Sequence, residues 1–147
     1  MNKVKRFLST WGLPLLWMAA IFGMSSLGTN EPPEPHLATI VLKKIGHVTE
    51  YALLAVLFVR ALTASRPPAR WTAWAALTLT VLYAVTDEIH QTYVPGRHGQ
   101  ALDVLIDFGG ALLGLYLWRR WREGHIGPPR FWSRRALALK RGPQRAG

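Results

Sequence analysis

Asp87, Glu88, His90, Gln91 and Arg97 fall within eleven consecutive residues, and Asp103 and Asp107 follow in the next apolar stretch. Upstream, Lys43, Lys44, His47 and Glu50 cluster at the start of another apolar stretch. These residue types suit three chemistries. His90 paired with Asp87 or Asp107 would be an oriented general base, with Arg97 and Lys44 stabilising an anion. Ser25 and Ser26 are the candidate nucleophiles. A metal site would draw on His47, Glu50, Asp87, His90, Asp103 and Asp107, whose N and O atoms suit zinc or a harder divalent cation. No HExxH or comparably diagnostic spacing accompanies them. A binding site needs no reaction. Lys43, Lys44, His47 and Arg97 would hold a phosphate, while Glu50, Glu88, Gln91 and Asp103 would take hydroxyls or amines. Beside these stands the plain alternative, a network of caps and ion pairs that only fixes helix register; Asp103, for example, suits a helix N-terminus.

The segments that carry these groups are built for lipid. No charged residue occurs from Phe7 to Asn30, a run of 24. A bilayer core about 30 Å thick needs roughly 20 helical residues, so this run can span it. It is long for a signal peptide and lacks a small-x-small cleavage site, so it reads as a retained helix. Four spans are expected, at about residues 8–27, 45–62, 71–91 and 101–118, with a helical extension of the second back to Leu37. The first and third are the clearer by hydropathy; His47, Glu50, Asp103 and Asp107 interrupt the second and fourth. Breakers separate them: Pro32, Pro33 and Pro35, then Pro67 and Pro68, then Pro95-Gly96. The expected fold is an all-α integral membrane four-helix bundle over residues 1–118, followed by a basic tail at 119–147. The chain has no Cys, which excludes disulfides and thiolate chemistry.

Charge sets the expected orientation. With the N-terminus inside, fifteen of the eighteen Lys and Arg residues lie on the cytoplasmic side, leaving Lys43, Lys44 and Arg97 outside. That asymmetry argues for an N-in, C-in topology, and Trp71, Trp74, Trp118 and Trp121 would sit at the cytoplasmic interface. Seven of the eight acidic residues lie at or beyond the other end; Glu123 is the exception. The polar cluster should therefore face outward. The net charge of +10 comes largely from the tail. The tail reads as an anchor on anionic inner-leaflet lipids rather than a nucleic-acid binder. Proton transport is disfavoured, because no polar path continues below the cluster.

Helical periodicity sorts the faces. Asp103, Asp107, Gly110 and Gly114 share one stripe, and Gly110-x-x-x-Gly114 invites close approach of a neighbouring helix. Both aspartates should point into the bundle. Tyr83, Asp87 and His90 form a second stripe with Gln91 beside it, and Glu88 points elsewhere. Lys43, Lys44, His47, Glu50 and Tyr51 form a third arc. Ser25 and Ser26 close the first helix, and a turn at Pro95-Gly96 should aim Arg97 back at the carboxylates.

Three motifs carry a family resemblance. Pro14-Leu15-Leu16-Trp17-Met18-Ala19-Ala20-Ile21-Phe22 with Ser25-Ser26 resembles the first helix of VanZ-like membrane proteins. Lys44-Ile45-Gly46-His47 with Glu50-Tyr51-Ala52-Leu53-Leu54 resembles their second motif. Asp87-Glu88-Ile89-His90-Gln91, Val94-Pro95-Gly96-Arg97, Asp103-Val104 and Asp107 resemble their third. The resemblance implies a small multi-pass protein of the bacterial cytoplasmic membrane. Its namesake is linked to resistance to teicoplanin, a glycopeptide that binds cell-wall precursors. The expected partners are thus membrane lipids and a lipid-linked precursor headgroup, met at the outward-facing pocket. The resemblance names no reaction.

Overall fold

The structure is a computed structural model that describes residues 2–28, 36–64, 69–97 and 99–124. Glu31, Glu34, the prolines at 32, 33, 35, 67 and 68, Arg66, His98 and the basic tail beyond Gly124 lie outside the described residues. Among the described residues there are four helices and no strand: α1 (Lys3–Ser25), α2 (Leu37–Thr63), α3 (Arg70–Gln91) and α4 (Ala101–Arg122). The extension of the second helix back to Leu37 is present. α1 starts earlier than expected and α4 runs four residues further, because Lys3, Lys5, Arg119, Arg120 and Arg122 are good helix formers that propagate the apolar runs.

The hydropathy ranking is corrected. Among the described residues, α1, α2 and α4 are long and apolar enough to cross a membrane, and α3 is not in that set. α3 contains Thr72, Thr78, Thr80 and Thr86 and ends in Asp87, Glu88, His90 and Gln91. Those residues dilute its hydropathy more than the few charges dilute α2 and α4.

The chain divides into a compact unit over Met1–Tyr116 and a second over Leu117–Gly147. In the first unit, α2 is central. Leu54, Ala55, Leu57, Phe58 and Val59 are all buried, so the C-terminal half of this helix is covered on most sides, while Leu37, Leu42 and Ile45 nearer its start are exposed. Ala55, Leu77 and Ala111 form a cluster contributed by α2, α3 and α4, with Val81 and Leu115 packed against it. The outward surface is apolar: Leu13, Leu16, Leu53, Leu82, Leu105, Leu112 and Leu113 are exposed. An apolar exterior of this kind marks a membrane or partner surface rather than a soluble one.

Gly110 and Gly114 explain how α4 reaches α2. A methyl group added at Gly110 would lie 2.6 Å from the Val48 carbonyl oxygen, and one added at Gly114 would lie 2.2 Å from that of Ala52. Backbone meets backbone there, as the small-residue spacing anticipates. Pro14 lies inside α1, where it removes one helical N–H without ending the helix.

In the second unit, Trp118 and Trp121 have ring centroids 5.4 Å apart. Arg119 Nε donates to Glu123 Oε1 at 2.7 Å, and Gly124 follows at φ 76°. A positive φ after the last turn is the usual place for glycine at a helix C-terminus.

Candidate functional site

Ser25 at the end of α1, Asp87 near the end of α3, and Lys44, His47 and Asp103 toward the starts of α2 and α4 meet at one end of the first unit. The four helices therefore alternate in direction, and each delivers polar side chains to the same end.

Asp87 is 4% exposed and fully engaged. Its Oδ1 accepts from Ser25 Oγ at 2.6 Å, and its Oδ2 accepts from Gln91 Nε2 at 3.0 Å and from Tyr51 O–H at 3.4 Å. One carboxylate thus joins α1, α2 and α3. A buried carboxylate needs such donors, since desolvating an unpaired charge is costly. Tyr83 O–H donates to the Met18 carbonyl at 2.6 Å, and Trp17 Nε1 to that of Glu50 at 3.0 Å, pinning α1 to both neighbours.

The expected histidine–aspartate pair exists, but with another histidine. His47 Nδ1 lies 2.9 Å from Asp107 Oδ1, and Asp107 is 1% exposed. With the carboxylate accepting, Nδ1 carries the hydrogen and a neutral ring keeps Nε2 as an acceptor. The other carboxylate oxygen, Asp107 Oδ2, is buried with no hydrogen-bond partner among the described residues. His90 pairs with neither Asp87 nor Asp107; its Nε2 lies 3.0 Å from Ser26 Oγ, and its ring packs 4.3 Å from Phe22. The reason is angular: Asp87 already faces Ser25, Tyr51 and Gln91, and His90 three residues on turns toward the α1 terminus.

Lys44 Nζ pairs with Asp103 Oδ1, linking α2 to the first turn of α4. Glu88 accepts from the Gln100 backbone N–H, which holds the entry to α4. It points away from Asp87, as the periodicity required.

Val94-Pro95-Gly96-Arg97 closes by a bond from Arg97 N–H to the Val94 carbonyl at 3.1 Å, with Gly96 at φ 76°. Proline followed by a positive-φ glycine is a type II turn. The turn does send Arg97 back into the bundle, but onto different acceptors from those expected. Its guanidinium donates to the carbonyls of Leu27 at 3.0 Å and Met24 at 2.9 Å, and to Gln91 Oε1 at 3.3 Å. The carbonyls at and just past the C-terminus of α1 lie at the negative end of its dipole, so they compete well for a guanidinium.

These groups surround a cavity of about 450 Å³. Ile21, Met24, Ser25, Ile40, Lys43, Lys44, Gly46, His47, Glu50, Asp87, Gln91, Gly96, Arg97, Gln100 and Asp103 line it. Of the expected site residues, Lys44, His47, Glu50, Asp87, Gln91, Arg97 and Asp103 are brought together on its wall; His90, Glu88 and Asp107 are not on it. Asp107 reaches it only through His47. Tyr51, placed on the polar arc of α2 but given no role in the site, and Trp17 and Gln100, which were missed, also contribute. A buried tyrosine or tryptophan needs a partner for its polar atom, which was the available signal for the first two. Among the described residues, no three His, Asp or Glu side chains are grouped to hold a metal ion.

A search of curated proteins and of solved structures found no match. A family model, VanZ/LLP1, matches residues 4–122, which takes in all four helices, the type II turn and every residue on the cavity wall. The chain therefore belongs to the VanZ/LLP1 family.

Proposed function

We propose that this protein takes the headgroup of an envelope lipid, or of a lipid-linked cell-wall precursor, into the cavity from the outer side of a bacterial cytoplasmic membrane. The observation that carries the reading is the cavity itself: about 450 Å³, open to Lys43, Lys44 and Arg97 on one hand and to Glu50, Asp87 and Asp103 on the other. Small-molecule sites have volumes of about 300–1,000 Å³ with a few convergent polar groups. Ile21, Met24 and Ile40 on the same wall suit the apolar stem below a headgroup. The excess of Lys and Arg in the other flanks supports the outward orientation. Should the ligand also be modified, His47 held by Asp107 is the best-oriented base on the wall.

Native mass spectrometry of the protein released from lipid nanodiscs tests this. A headgroup-bearing lipid should be retained by the wild type and reduced in a Lys43→Ser/Lys44→Ser variant of equal helical content. Absence of any retained lipid in the wild type would reject it. The teicoplanin link of the family's namesake makes glycopeptide susceptibility of a deletion strain the matching cellular readout.

One observation favours a structural reading instead. Asp87 is satisfied by three protein donors and needs no ligand. On that reading, wall variants lower the amount of folded protein in step with any envelope phenotype.

A further inference from the structure

The fixed charges on the cavity wall are balanced in number. Three carboxylates (Glu50, Asp87, Asp103) face three fixed cations (Lys43, Lys44, Arg97). A wall built for a purely anionic ligand would carry surplus cation. Lys44 and Asp103 neutralise each other. Asp87 is held by neutral donors, and Arg97 by neutral acceptors. The Glu50 carboxylate lies in the field of His47 and Arg97 but has no hydrogen-bond partner among the described residues, although its backbone is pinned by Trp17. Gly46, one turn earlier, leaves room beside it: a methyl group there would still lie 3.9 Å from Glu50 Oε1. The wall thus presents a partly exposed carboxylate, without a hydrogen-bond partner among the described residues, a short distance along α2 from Lys43 and Lys44.

We infer that the ligand is a zwitterion, an ammonium-bearing phosphate ester whose ammonium is bound by Glu50 and whose phosphate lies toward Lys43 and Lys44. This rests on the headgroup reading above and narrows it to one chemical class. An ammonium donates up to three hydrogen bonds, and charge-assisted pairing with a carboxylate is about twice as strong as a neutral hydrogen bond. A phosphate diester without the ammonium would leave Glu50 unmatched and repel it.

The experiment compares retention of phosphatidylethanolamine with that of phosphatidylglycerol in nanodiscs of equal proportions, read by native mass spectrometry. The wild type should retain the ethanolamine lipid about tenfold better, the size of a charge-assisted contact. Glu50→Gln should fold normally and lose that preference, while Glu50→Asp keeps part of it. Equal retention in the wild type, or a preference unchanged in Glu50→Gln, overturns the inference and leaves headgroup binding standing. Retention of neither lipid overturns both. Soluble phosphoethanolamine, added as competitor, assigns the source. Displacement at concentrations comparable to the lipid supports a free zwitterion, and resistance to displacement supports the lipid. If Glu50→Gln fails to fold, masking of a Glu50→Cys thiol by ethanolamine lipid but not by phosphatidylglycerol supplies the same contrast. Equal thiol reactivity in both lipids overturns the inference.

Discussion

At the residue scale the site separates into groups that hold the bundle and groups left for something else. Asp87 belongs to the first. Asp87→Ala would leave Tyr51 O–H and the Gln91 amide without this acceptor, whereas Ser25 Oγ would keep the Phe22 carbonyl. Each unsatisfied buried donor costs about 1–3 kcal/mol. A fall in thermal midpoint of the detergent-solubilised protein should follow, larger than for Asp87→Asn, which keeps one acceptor oxygen. An unchanged midpoint would remove Asp87 from the framework. His47 and Asp107 should be coupled. A double-mutant cycle with His47→Ala and Asp107→Ala is expected to give about 0.5–3 kcal/mol. Additive effects would mean that the 2.9 Å contact contributes nothing. His90, beside Ser26 and Phe22, is the expected catalytic residue with the weakest claim on geometry.

At the element scale, packing depends on two glycines and a turn. Gly114→Val should separate α4 from α2, because the intruding atoms are backbone and cannot move aside. The neighbouring Gly109 has open space where a methyl would go, so Gly109→Ala is the control that should leave the folded yield unchanged. Equal yields for the two variants, measured by size-exclusion chromatography, would contradict the close α2–α4 contact. The type II turn sets the second dependence. Gly96→Ala forces a side chain into a left-handed conformation, at a cost of roughly 1–2 kcal/mol. It should loosen Arg97 from the end of α1 before it unfolds the helices. A change in proteolytic cleavage confined to the α3–α4 connection would register this.

At the scale of the whole molecule, the prediction concerns sidedness. The chain contains no cysteine, so a single introduced thiol is unique. Tyr93 is 81% exposed beside the cavity end. Tyr93→Cys should react with a membrane-impermeant thiol reagent on spheroplasts, whereas Glu123→Cys should react only after lysis. The reverse pattern would turn the cavity toward the cytoplasm and remove the envelope-facing role.

Most of the helical framework was legible without coordinates. Apolar runs, breakers and the 3.6-residue period specify where helices lie and which face of each is polar, since these properties are local to a segment. The Gly110–Gly114 contact and the turn at Pro95-Gly96 were equally readable, because each rests on what one backbone conformation or one missing side chain permits. The span ranking was misread, because the threonines and polar end of α3 dilute its apolarity more than isolated charges suggest. Which partner each polar group takes was a different matter. That Asp107 meets His47 rather than His90, that Arg97 seeks the end of α1 rather than a carboxylate, and that Glu50 is left on the wall of a cavity all depend on helix rotation and depth. Those are set by packing across the bundle, where several carboxylates and cations compete within a few ångströms. The sequence by itself determined the elements and the end at which chemistry could occur. Only the tertiary structure decided which polar groups pair across the bundle, because pairing is a property of distances between helices.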